Sequence, residues 1–339
     1  MGKDEWRLME EEMESILYWK ALNMALDHAM ETDSSVFVLG EDIGLFGGAY
    51  RVTEGLFAKY GEWRIRDTPI SENSFIGLGV GAAMAGMRPV VEIMTVNFAL
   101  LAMDALINMA SMLPVMSGGQ FRLPLVVRMP GGIAHQLGAQ HSQRLEAMFM
   151  GIPGLTILVP SNPQDAYWQL IQAIRHDSPV LFIEHELLYF TKGHFDWGIS
   201  PPPMDKARRV MEGESLTLVS YGGMMSRVLE AAKSLADSGI GCDVVDLRSL
   251  NPLDLKVLIT SVEKTHRLLV VEESPLFSGV GSEIISSMTE ACFYFLDAPP
   301  KRLGSPNCPV PYNKSLENLM VPSVESIVDA GKRLVFPGE

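Results

Sequence analysis

The sequence lacks several things, and each absence removes a class of function. It has no long apolar run. The most apolar region, 76–117, is interrupted by Arg88, Glu92, Asp104 and Pro114, so no window of about 18 apolar residues is available to span a bilayer. Positive charge is scarce: 27 Lys and Arg stand against 41 Asp and Glu, for a formal net charge of −14. Phosphate backbones are gripped by clustered cations, so this balance argues against nucleic-acid binding. Cysteine is rare, and Cys242, Cys292 and Cys308 form no C-x-x-C pair. An odd, scattered count argues against a disulfide framework and fits a reducing compartment. The N-terminal MGKDEWRLMEEEMES is acidic. It lacks the basic start and apolar core of a secretory leader and the Arg/Ser bias of a transit peptide, so a cytoplasmic protein of bacterial type is expected.

What is present is alternation. Of 339 residues, 47% are hydrophobic, enough for two cores. Apolar residues at helical spacing predict a helix over 15–30, with Ser15 as its cap. Short apolar runs at 36–39, 65–68, 89–94, 123–128, 156–159 and 179–184 read as strands, with helices at 53–60, 75–86, 98–113 and 164–175 between them. Residues 191–206, TKGHFDWGISPPPMDK, are rich in Gly and Pro without a period and read as a linker. Strands at 216–221, 242–246 and 267–272 then alternate with helices at 224–238, 253–263, 279–292 and 322–334. The expected class is α/β: two three-layer αβα domains with mainly parallel sheets, over 15–190 and 207–339, joined by the linker 191–206.

One stretch, 68–98, carries an acid that composition does not explain. Glu72 stands just before a Gly/Ala-rich segment, and the following strand ends in Asn97-Phe98. Gly77-Leu78-Gly79-Val80-Gly81-Ala82 fits the dinucleotide pattern G-x-G-x-x-A, with Glu92 downstream. That fingerprint needs a buried strand running into its first glycine. Here TPISENSFI precedes it, which disfavours the pattern. Gly77, Gly81 and Ala85 instead form a small-residue ridge that lets another helix approach closely. Glu72 then reads either as a helix-start acid favoured by the macrodipole or as a chemical group.

The motifs in order break the tie. Glu72, four residues, Gly77-Leu78, two residues and Gly81 resemble the pyrimidine-domain motif of thiamine-diphosphate enzymes. VFVLGEDIG, RDTPISENSF, GAAMAGMRPVVE, MTVNF, SGGQFRLPLVVR, GAQHSQRLEA, PGLTILVPSNPQDA and DLRSLNPLD extend the match from about residue 15 to the C-terminus. Together they resemble the β subunits of the decarboxylating component of 2-oxoacid dehydrogenase complexes, most closely the pyruvate dehydrogenase type. The resemblance implies a thiamine-diphosphate pyrimidine domain followed by a transketolase C-terminal-like domain. It implies decarboxylation of pyruvate with acetyl transfer to a lipoyl group. AQHSQRLEA fits the pyruvate or acetoin types better than the branched-chain type, and acetoin dehydrogenase stays open beside pyruvate. The reading outside enzymes is a scaffolding α/β subunit, which would leave Glu72 and His141 idle.

The resemblance also assigns residues. Glu72 would share a proton with N1′ of the cofactor's aminopyrimidine, and Phe98 would pack on that ring, although an ordinary core Phe is the bland alternative. His141, flanked by Gln140, Ser142 and Gln143, would help deliver a proton as the acyl group passes to a lipoyl dithiolane; imidazole suits the step because it titrates near neutrality. The other histidines take a structural reading. A potassium ion held by some relatives would fall on Leu125, Ala173, Ile174, His176 and Ser178, where His176 and Ser178 depart from the usual Asp and Asn. The diphosphate and Mg2+ need a G-D-G signature with a downstream Asn, and no Gly-Asp-Gly occurs here. So the resemblance calls for an α subunit that holds Mg2+ and shares the thiamine diphosphate, in an α2β2 heterotetramer. The C-terminal domain would support pairing and dock a dihydrolipoyl acyltransferase core.

Overall fold

The computed structural model describes residues 13–338. The acidic N-terminal stretch read for a leader lies outside them, apart from Met13–Ser15. The chain forms two compact units: one runs to Pro130 and resumes over Ile152–Met204, the other comprises Gly131–Gly151 and everything from Asp205. The segment 131–151, counted with the first domain on sequence grounds, thus groups with the second unit.

In the first unit, β1 (Met13–Leu17) pairs antiparallel with β8 (Lys192–Asp196), placing Ser15 opposite His194. This corrects two expectations. Ser15 is a strand residue rather than a helix cap, and the linker expected from 191 begins as a strand. The helix α1 (Tyr18–Thr32) starts straight from that strand and has no side-chain cap. Its leading donors are met by the returning chain instead: Tyr18 N–H reaches Thr191 O at 3.0 Å and Trp19 N–H reaches Tyr189 O at 3.1 Å. Tyr18, Leu22, Leu26 and Met30 are buried in the core shared with Tyr167, Leu170 and Ile174 of a helix over Pro163–Arg175.

The sheet of this unit contains β2 (Val36–Gly40), β3 (Ile65–Asp67), β4 (Arg88–Glu92), β5 (Val126–Gly131), β6 (Thr156–Leu158) and β7 (Val180–His185), in the order β6-β7-β5-β4-β2-β3. The pairs β2–β3, β2–β4, β4–β5 and β6–β7 are parallel. All five residues of β2 are buried, as expected of a strand covered on both faces. Between β2 and β3 lies α2 (Leu56–Tyr60), and between β3 and β4 lies α3 (Glu72–Met84). Gly79 is where α3 meets the sheet: an added Cβ would come within 2.8 Å of Val91.

The helix expected over 98–113 is broken. Val96–Ala102 is a 3-10 turn, Ala105–Ser111 is π-helical, and Leu113–Met116 forms a short α3 successor, α4. The chain bends by 70° between the first of these and the rest, and no single helix among the described residues is long and apolar enough to cross a membrane.

The second unit carries α5 (Glu146–Met150) from its inserted segment; α6 is the helix Pro163–Arg175 already described in the first unit. Its main part has β9 (Arg208–Met211), β10 (Leu216–Ser220), α7 (Met224–Asp237), β11 (Cys242–Asp246), the three-residue β12 (Ser249–Asn251) and α8 (Leu255–Thr265). After these come β13 (Leu268–Pro275), α9 (Val280–Cys292), β14 (Lys301–Ser305), α10 (Lys314–Asn318) and α11 (Val324–Val335). The sheet runs β14-β13-β10-β11-β9, parallel except for the edge strand β9. Leu218, Val228, Val244, Leu269 and Ile327 lie in its core. Gly331 lets α11 lie against α7, because a Cβ there would stand 2.9 Å from Leu235. Each unit is therefore a mainly parallel sheet with helices.

Three strands of the first unit are locked by a buried ion cluster. Arg128 on β5 grips Glu184 on β7 through Nε at 2.7 Å and Nη2 at 2.6 Å, and its Nη1 reaches Glu92 on β4 at 2.5 Å. The Tyr189 hydroxyl donates to Glu184. Burial pushes the Glu92 carboxyl above its usual range while the Arg128 charge opposes that shift. Such a cluster survives without water only if every charge keeps its partners. Arg128→Met should strand two buried carboxyls and lower the unfolding free energy by about 3–5 kcal/mol. Urea denaturation reads this; an unchanged midpoint would contradict it.

Candidate active site

Neighbouring parallel strands release the chain at the same edge, and ligands of open α/β sheets collect there. In the first unit β4, β2 and β3 are adjacent. Glu41 follows β2 directly. Glu72 opens α3, a few residues after β3, and Phe98 lies on the 3-10 turn that follows β4. The exits are tied together, since Thr68 N–H donates to Gly40 O at 2.9 Å. The 3-10 turn packs against α3. Three strand ends thus bring Glu41, Glu72 and Phe98 to one region.

The acids there are out of water. Glu72 is 3% exposed and Glu41 6%. Burial raises the Glu41 carboxyl above its ordinary range, and the nearby charges of Glu72 and Asp42 raise it further. Glu41 Oε1 has no hydrogen-bond partner among the described residues. Two buried carboxyls are near enough for the charge of one to raise the other, and Glu41 offers an unmet polar atom. That donor set suits a ligand bearing a basic aromatic nitrogen. Phe98, half-buried, adds an apolar ring. Sequence reading placed Glu72 and Phe98 as candidates but passed over Glu41. An acid ending a buried strand and opening a glycine-rich loop was the available signal.

The loop after Glu41 is fixed from two sides. Gly44 N–H donates to Asp67 Oδ1 at 2.7 Å. Gly48 adopts a φ of +82°, and a Cβ there would stand 3.3 Å from Glu92 Oε1, so a glycine serves both the turn and the close approach. The glycines of α3 face two ways. Gly79 packs inward, whereas a Cβ on Gly77 or Gly81 would meet no atom of this chain within 4 Å. That face is open.

His141 belongs to the second unit, whereas Glu72 and Phe98 belong to the first. It is half-buried in the loop before α5, with its N–H 3.3 Å from Gly138 O. Gln140, Ser142, Gln143 and Arg144 line a cavity of about 480 Å3 with Glu273, Cys308 and Met320.

The comparisons with known proteins agree with this arrangement. A family model described as the transketolase pyrimidine binding domain matches residues 14–192, and one described as the transketolase C-terminal domain matches 205–327. The fold and site thus define a two-domain chain of the transketolase class. A solved split-gene transketolase, described as an inactive beta4 tetramer, aligns with a TM-score of 0.78 at 21% identity, covering 95% of this chain and 99% of that one. A transketolase from Campylobacter jejuni aligns with a TM-score of 0.69 at 15% identity, covering 94% of this chain and 46% of that one. These two likenesses speak to the fold alone. Within the class, the chain belongs to the family of pyruvate dehydrogenase E1 component β subunits. It is 46% identical over 323 residues to that subunit of Gracilaria tenuistipitata var. liui, covering 95% of this chain and 100% of the relative. It is 47% identical to that of Porphyra purpurea, covering 95% and 98%, and 44% identical to the mitochondrial beta-1 subunit of Arabidopsis thaliana, covering 93% and 88%.

At the positions expected to hold potassium, several carbonyls already accept hydrogen bonds. Arg88 Nη1 donates to Ile174 O at 3.0 Å and to His176 O at 3.2 Å, and its Nη2 pairs with Asp177 at 2.9 Å. The Leu125 carbonyl accepts from Val180 N–H at 2.8 Å, and that of Ala173 from His176 N–H at 3.1 Å. A guanidinium already supplies positive charge to this loop, and a second cation against the same carbonyls would be repelled. No group of three or more His, Cys, Asp or Glu among the described residues could hold a metal ion. Exchanging K+ for Na+ should leave the melting temperature unchanged, whereas Arg88→Gln should cost about 1–2 kcal/mol. A rise in melting temperature specific to K+ in the parent protein would overturn this.

Proposed function

We propose that the chain is the β half of a thiamine-diphosphate-dependent pyruvate dehydrogenase, acting with an α subunit in an α2β2 assembly that serves a dihydrolipoyl acyltransferase core in a reducing, cytoplasmic setting. The buried carboxyl pair Glu41 and Glu72, at the carboxyl ends of parallel strands, is the observation that carries the reading. It is supported by the family membership and by the β-subunit names of the relatives. Thiamine diphosphate, when bound, supplies the carbon centre that adds to the 2-oxo group and takes up electrons as carbon dioxide leaves. The chain's own residues do the rest.

Glu72 holds a proton at N1′ of the aminopyrimidine and exchanges it with that nitrogen. Because Glu72 is buried, water does not compete for the proton. Burial, with the nearby charge of Glu72, raises the Glu41 carboxyl above its ordinary range, so Glu41 keeps a proton more readily than a surface carboxyl does. Phe98 gives the pyrimidine ring an apolar face. His141 delivers a proton to the leaving sulfur as the acyl group moves to the lipoyl dithiolane. Mg2+ and the diphosphate fall to the α subunit. The open glycine face of α3, at Gly77 and Gly81, suits the close approach of a partner helix.

In the enzyme assembled with its α partner, Glu72→Gln should cut release of CO2 from pyruvate by about 10²-fold or more, with 2-oxoisovalerate and acetoin as control substrates. Turnover near that of the parent would sink the assignment of Glu72. His141→Ala should impair acyl transfer to a lipoyl domain more than decarboxylation read with an artificial electron acceptor. Equal losses in the two assays would remove His141 from the transfer step.

A further inference from the structure

The loop that carries His141 is strained, and something must hold it. His135 and Gln136 have φ of 60° and 58°, in the left-handed region, as do Gly132 at 136° and Gly138 at 75°. Non-glycine residues there persist only where their surroundings over-determine them. Two buried carboxylates of the second unit supply the restraint. Glu273 on β13 is 3% exposed and Glu317 on α10 is 2% exposed. Glu273 Oε1 accepts the main-chain N–H of Ile133 at 2.8 Å, and its Oε2 lies 3.6 Å from Arg144 Nε. Glu317 Oε1 accepts the main-chain N–H of Gln136 at 2.8 Å. Its Oε2 accepts from Lys314 at 3.1 Å. Arg144 also pairs with Glu146, at the start of α5.

The ties bracket the histidine. Ile133 and Gln136 lie before it, Arg144 after it, and all three are held by Glu273 or Glu317, carboxylates from far along the chain. Each main-chain bond is made to a carboxylate, which strengthens it; the Ile133 bond is buried and the Gln136 bond partly so. We infer that Glu273 and Glu317 are positioning residues that set where His141 stands, so buried carboxylates of the second unit govern the acyl-transfer step. This rests on His141 serving that step. Neither carboxylate touches substrate; each acts through the backbone that carries the imidazole. A displacement of about 1 Å in such a group can cost up to 10²-fold in rate.

The experiment uses the assembled α2β2 enzyme with Glu317→Ala, Glu317→Gln and Glu273→Gln. Hydrogen exchange of residues 131–145 is followed together with acyl transfer and decarboxylation. The Gln variants keep an acceptor oxygen and should fold even if Glu317→Ala does not. Losing the charge-assisted bonds should speed exchange in the loop by about tenfold. Acyl transfer should fall by about tenfold while decarboxylation stays within about threefold. Glu317→Gln should recover part of the loss seen in Glu317→Ala. In a His141→Ala background, the Glu317 substitution should add no further loss of transfer. Unchanged exchange would show that the carboxylates do not hold the loop. Faster exchange with unchanged transfer would show that His141 needs no such holding, and either result overturns the proposal. If His141→Ala alone leaves transfer intact, the reading of His141 fails instead, and the exchange data still report whether the ties hold.

Discussion

Two carboxyls buried side by side are costly, and the first unit is built to keep them there. Glu41, at the end of the fully buried β2, and Glu72, opening α3 a few residues after the parallel neighbour β3, are both buried. Parallel pairing forces both exits to the same edge. The proton affinity of Glu41 then rises through burial first and through the charge of Glu72 second. Glu41 therefore keeps its proton to higher pH than a surface carboxyl does. Much else supports this placement. Asp67 holds the loop after Glu41, Glu92 fills the space that Gly48 leaves, and Arg128 then ties Glu92 to Glu184 across the sheet. The ion cluster and the acid pair are therefore parts of one polar layer at the strand ends. A carboxyl from β4 belongs to the first and touches the loop that carries the second.

Most of the scaffold was legible in the residues. Runs such as VFVLG, RPVVE and LTLVS are too short and too apolar for amphipathic helices, and they are buried parallel strands. The helices between them follow the 3.6-residue period. Local pattern failed where partners are distant. Ser15 is a common capping residue, yet it lies in β1 because the segment 192–196, far along the chain, returns beside it. The Gly/Pro content of 191–206 concealed β8 for the same reason. The stretch 98–113 has enough apolar residues for a helix, but its composition carries no sign of the 70° bend.

The site was legible in a different way. Glu72 and Phe98 stood out only through ordered motifs, since an acid at a helix start and a half-buried Phe are both ordinary. Glu41 was on the page in VFVLGEDIG but needed the fold to show that it faces Glu72. His141 was placed by its flanks, while its supports, Glu273 and Glu317, come from elements that no local pattern links to it. The potassium positions show the reverse case. The resemblance suggested a cation there, and the fold brings the Arg88 guanidinium, from a distant strand, onto the Ile174 and His176 carbonyls.

The chain holds acids, an aromatic and a histidine, but no group of carboxylates among its described residues that could hold a metal. The proposed function gives the diphosphate and its Mg2+ to another chain. Titration of thiamine diphosphate and Mg2+ into the chain alone, and into its mixture with the α subunit, tests that division most directly. The account predicts no detectable binding to the isolated chain and saturable binding, with CO2 release from pyruvate, in the mixture. Tight, Mg2+-dependent binding to the isolated chain would contradict it.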